Sequence, residues 1–115
     1  MNVERLTEIA EWLEAGAPHK GAVDGFNMVD YTTETDCGTC CCIAGAANAF
    51  AGQPLGSEAC ARGLLDLRLG QAEELFAPNY PAPADWGDVT PAWAARCIRK
   101  LIATGEVDWE GTRDV

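Results

Sequence analysis

The sequence predicts an all-α fold, a single helical domain over residues 1–115, with about five helices around a buried central helix at about 38–51. Three observations carry that expectation. Apolar residues recur at three- and four-residue spacing through the first helix. The stretch at 38–51 is apolar nearly all the way round. A Thr-Pro pair and a glycine frame the last helical run, as a start and a stop.

In chain order, Val3, Leu6, Ile9, Ala10 and Leu13 form one apolar face of a helix running from Val3 to Ala15. Gly16 supplies a left-handed stop and Pro18 prevents resumption. Residues 17–35 show no sustained period, and Gly21 and Gly25 favour an ordered loop over a short extended piece around Phe26, Met28, Val29 and Tyr31. Asp36 is the expected N-cap of the central helix, whose Cys40-to-Phe50 interior of small apolar residues invites close packing. Gly52 and Pro54 end it.

Ser57-Glu58 opens a third helix carrying Ala61, Leu64 and Leu65, and Gln71 to Phe76 forms a short fourth. Three prolines make the stretch from Pro78 to Gly87 a loop. Thr90 then caps a helix with Pro91 at its first position. That helix buries Ala94, Ala95, Ile98, Leu101 and Ile102 and stops at Gly105, with Val107 closing the end by a hydrophobic contact.

A chain of 115 residues is close to the commonest size of one domain, and a 48% hydrophobic fraction is enough for one core. No stretch approaches the roughly 18 apolar residues that cross a bilayer. Residues Met1 to Glu8 are charged and amphipathic, unlike a signal peptide, so a cytoplasmic location is expected, the host cytoplasm if the protein is phage-encoded. The six cysteines are then expected to be reduced thiols, mostly serving as small hydrophobes. Eighteen acidic residues against eight basic ones leave a formal charge of −10, which repels nucleic acid and anionic membranes and suits a basic protein partner. Direct nucleic-acid binding and membrane binding are not expected. The composition leaves the oligomeric state open.

Cys37-Gly38-Thr39-Cys40 has a spacing that can place two thiolates on one zinc ion, with Cys60, Cys97 or His19 to complete the set. On a helix, however, Cys40, Cys41 and Cys42 project about 100° apart and cannot share one ion, and no second paired motif is present. Cys37 or Cys40 at a helix N-terminus is also the candidate for an activated thiolate. The only histidine, His19, lies upstream, so the usual base is missing from its usual place. No phosphate-binding glycine loop, nucleophile elbow, zinc-protease or calcium motif occurs, so neither catalytic residues, a metal ligand set nor a cofactor is expected.

Charge patterning is more informative. Glu4, Glu8, Glu11 and Glu14 fall within about a third of the first helix's circumference. Their same-sign spacings of three and four residues each cost on the order of 0.2–0.5 kcal/mol. Carboxylates stacked about 5–6 Å apart along an axis resemble a short row of phosphates. The alternative is an ordinary solvated acidic face. Arg96, Arg99 and Lys100 share one face of the last helix, where the dipole favours cations, and can pair with those glutamates. Trp93, outside the main apolar arc, is a candidate interface anchor or an edge of the core. Asp85 and Asp88 beside Trp86 extend the acidic surface expected to meet the partner.

The run Cys37-Gly38-Thr39-Cys40-Cys41-Cys42-Ile43-Ala44-Gly45-Ala46-Ala47, followed by Leu75-Phe76 and the closing helix from Thr90 to Trp109, resembles a group of small bacterial and phage proteins sharing a CGTxxCIAGxA motif. Cys40 and Cys41 stand at that motif's variable positions. The resemblance implies no activity. It implies a mobile-element setting, in which small acidic proteins block host defence complexes as anti-CRISPR proteins do. The expected function is therefore non-enzymatic binding of a basic host protein or nucleoprotein complex, such as a CRISPR defence effector, by nucleic-acid mimicry. A cysteine-centred metal or thiol protein built on Cys37 is the second expectation.

Overall fold

A computed structural model describes residues 1–18, 25–26, 32–35, 38–41, 43–52, 58–76 and 89–113. Five helices, α1 (Val3–Glu14), α2 (Ile43–Phe50), α3 (Glu58–Leu65), α4 (Leu69–Phe76) and α5 (Pro91–Thr104), supply most of the buried core, as an all-α domain requires.

The terminal helices form because local signals agree with packing. Asn2 caps α1 by accepting from the Arg5 amide at 3.1 Å, and its own amide donates to the Leu65 carbonyl at 2.7 Å, which joins the helix start to the end of α3. Leu6, Ile9, Ala10 and Leu13 are buried in one stripe. Gly16 ends the helix at φ +91°, the left-handed region open to glycine without strain. Thr90 and Pro91 start α5 as expected, Thr90 Oγ1 accepting from the Trp93 amide at 3.1 Å. Gly105, at φ +77°, closes it by donating to the Leu101 carbonyl. Half-buried Val107 then packs on the core. α1 and α5, distant in sequence, make the most extensive helix–helix contact.

Between these helices lies α2, buried from Ile43 to Asn48 and packed mainly on α3 and α1. It is the expected central helix, but it is shorter: Gly38–Cys41 are a strand, and the helix begins at Ile43. That strand, β3, pairs antiparallel with β2 (Thr32–Thr35), Thr32 opposite Cys41 and Thr35 opposite Gly38. It also pairs parallel with β1 (Gly25–Phe26), giving the order β1-β3-β2. Residues 25–41 therefore hold a small sheet that the sequence reading did not anticipate. The β-branched threonines of β2 favour a pleated backbone, but the favourable term is the pairing itself, which no helical count along one segment registers. The expected N-cap Asp36 and the loop 78–87 lie outside the described residues.

Beyond α5 the chain hooks back over the core. Trp109 is 4% exposed and packs edge-on against Trp93, ring centroids 5.7 Å apart. The Trp93 indole donates to the Trp109 carbonyl and the Trp109 indole to the Glu74 carbonyl, each at 2.8 Å, so both buried N–H groups are satisfied. At the other end, the Trp12 indole donates to the Pro18 carbonyl at 2.7 Å and its ring meets Phe50 edge-on. Among the described residues no helix is long and apolar enough to cross a membrane.

Candidate functional site

The outward face of α1 is the candidate surface. Leu6, Ile9, Ala10 and Leu13 of its apolar stripe are buried, Val3 at the start of that stripe is exposed, and Glu4, Glu8, Glu11 and Glu14 are all exposed. They do not stand alike. Glu14 falls on the side of the arc nearest buried Ala10, about 40° away at 100° per residue, and that side faces α5. There the Arg99 guanidinium grips it with both ends, Nη2 to Oε1 at 2.8 Å and Nε to Oε2 at 3.2 Å. This hydrogen bonding holds the Glu14 carboxyl below the ordinary range and the Arg99 guanidinium above its own, with Glu11 adding to the latter. Glu14 is thus part of the α1–α5 seam, while Glu4, Glu8 and Glu11 lie on the same exposed arc.

The remaining cations of α5 are also absorbed locally. Lys100 pairs with Asp108, and the hydrogen bond between them lowers the Asp108 pKa and raises that of Lys100. Arg96 donates Nε to the Thr112 carbonyl at 2.8 Å. The basic stripe seen in the sequence therefore fastens the hook and α1.

Trp93 is corrected. It is 4% exposed, so it is a core residue and not an outward anchor. The cause is the hook: Trp109 supplies an apolar cover on a side of α5 that a helical wheel assigns to solvent. Arg113 then stacks 5.4 Å above the Trp93 ring. Asp85 and Asp88 lie outside the described residues.

The cysteine segment is also corrected. With α2 starting at Ile43, Cys40 lies in β3 and not at a helix N-terminus, so no helix dipole is available there to stabilise its thiolate. Cys37, Cys42 and His19 lie outside the described residues. Among the described residues no three His, Cys, Asp or Glu side chains come together as a metal site. Cys97 is a buried thiol, its pKa pushed up to about 12 by desolvation, and is chemically quiet at neutral pH.

One constellation went unnoticed in the sequence: Arg62 and Arg68 on the corner between α3 and α4. The available signal was an arginine directly before a helix start, where the dipole disfavours a cation. Comparisons with protein-family models, with characterised proteins and with solved structures returned no match.

Proposed function

We propose that the protein is a non-enzymatic binding module that engages a basic partner through Glu4, Glu8 and Glu11. The observation that carries this is the exposure of those three carboxylates on one arc of a helix whose opposite face buries Leu6, Ile9, Ala10 and Leu13. A rigid helix presents charge without paying to order it, and a net charge of −10 steers a basic partner toward the whole molecule. The CGTxxCIAGxA resemblance supports a phage or mobile-element origin and a partner in a host defence complex such as a CRISPR effector. On that reading the carboxylate row occupies a groove that otherwise holds nucleic acid.

The test is capture from host lysate by the tagged protein at low and high salt, beside a Glu4→Lys, Glu8→Lys, Glu11→Lys variant. A basic, nucleic-acid-handling protein retained at low salt, released at high salt and lost with the variant supports the proposal. Displacement of that partner's DNA or RNA by the wild-type protein supports mimicry. Undiminished capture by the folded triple variant rules out this face.

A further inference from the structure

The α3–α4 corner carries a charge arrangement opposite to the rest of the molecule. Arg62, in the last turn of α3, donates Nε to the Leu67 carbonyl at 3.1 Å, which holds its guanidinium against the corner. Arg68 stands directly before α4, its amide held by Gln71 Oε1 at 2.9 Å. Both arginines are exposed and line one cleft of about 520 Å³ together with Asp66, Leu67 and Gln71.

Arg99 and Lys100 of α5 are each paired with a carboxylate, whereas Arg62 and Arg68 form no ion pair among the described residues. Asp66 also lines the cleft, but the chain's terminal amine takes it at 3.0 Å. Two guanidiniums and one amine against one carboxylate leave the corner at +2 in a chain of −10. The first turn of α4 has no acidic residue, so the positive end of its dipole adds to the imbalance. A cation before a helix start, with no ion pair among the described residues, breaks a local rule in the way binding sites do.

The geometry points to a phosphate site: this cleft binds the phosphate group of a small phosphorylated molecule between Arg62 and Arg68. Planar guanidiniums match the oxygens of a phosphate bidentately. A phosphomonoester's charge of about −1.5 to −2 balances the corner, where a single carboxylate leaves it positive. A cleft of this size also lies within the range of small-molecule sites, so a bare ion does not fill it.

The experiment is a titration of the ¹⁵N-labelled full chain, in low-salt buffer, with inorganic phosphate and separately with adenosine monophosphate. Saturable amide shifts at residues 66–71 are expected with both probes, stronger with the monoester if the rest of the cleft is used. Equal shifts identify free phosphate as the ligand chemistry. Arg62→Gln and Arg68→Gln each weaken binding roughly tenfold, as expected for loss of a charge-assisted contact, while Arg99→Gln leaves it unchanged. Because both arginines are exposed, the variants keep their native spectra elsewhere. Absence of saturable shifts with either probe overturns the proposal, as does equal binding by the double variant. The acidic face of α1 is untouched by these variants, so the two proposals fail independently.

Discussion

The hook at residues 105–113 and the corner between α3 and α4 both meet Gln71, whose amide donates to the Gly105 carbonyl at 2.8 Å, yet they are built on opposite terms. In the hook, charges and indoles are paired with groups of the chain itself: Lys100 with Asp108, Arg96 Nε with the Thr112 carbonyl, and the two tryptophans with backbone carbonyls. Even the turn is tied, Asp108 accepting from the Gly111 amide and Thr112 donating to the Asp108 carbonyl. At the corner the arginines face solvent and Leu69 is 57% exposed. The comparison teaches where stability and where recognition reside. Polar groups paired within the structure contribute to the fold, and charges left over are available to a ligand.

The largest expected effect breaks the closed side. Trp109→Ala removes a buried ring and its indole link to the Glu74 carbonyl, and should cost about 3–5 kcal/mol in urea unfolding. A loss under about 1 kcal/mol would mean that the hook is an appendage.

A second test uses alkali. The Cys97 pKa is raised from 9.0 to about 12 by burial, so the unfolded chain releases this proton first as pH rises. Stability owed to the neutral thiol is whole below pH 9.0 and is lost as pH climbs toward about 12. Cys97→Ala should flatten that alkaline decline in a series of melts. A decline of unchanged steepness would show that Cys97 opens to water under the hook.

Glycine substitutions sharpen the same contrast. A methyl added at Gly63, in α3, meets nothing within 4 Å, so Gly63→Ala should raise stability by about 0.5–1 kcal/mol through helix propensity alone. Gly111→Ala would collide with the Asp108 carboxylate and loosen it from Lys100, costing about 1 kcal/mol. Equal effects at the two sites would erase the distinction between a closed and an open region.

The smallest effect is at the seam of α1 and α5. Both partners are largely exposed, so Glu14→Gln should cost only a few tenths of a kcal/mol at neutral pH. The carboxyl is depressed in the folded state, so that increment is present above the ordinary carboxyl value of 4.5 and fades as pH falls below it. Parallel acid titrations of wild type and variant should converge there.

How much was legible follows from the range of the interactions. α1 and α5 could be read because capping, periodicity and stop signals all lie within a turn or two of the residues they govern. The acidic arc was legible for the same reason, since helical geometry alone groups Glu4, Glu8 and Glu11. The start of α2 was not, because Gly38–Cys41 take their conformation from pairing with Thr32–Thr35 and Gly25–Phe26.

By itself, then, the sequence determined five helices, their apolar faces, the net charge of −10 and the acidic row on α1. Only the tertiary structure decided which charges remained for a partner. Glu14 meets Arg99 across 85 residues, and Trp93 turns inward because Trp109, 16 residues on, returns to cover it. Arg62 and Arg68 stay outward without an ion pair among the described residues, because Asp66, the carboxylate that shares their cleft, is taken by the amine of Met1. Each of those outcomes depends on which surfaces the chain brings together, and that is a property of packing, which a helical wheel drawn for one segment does not contain.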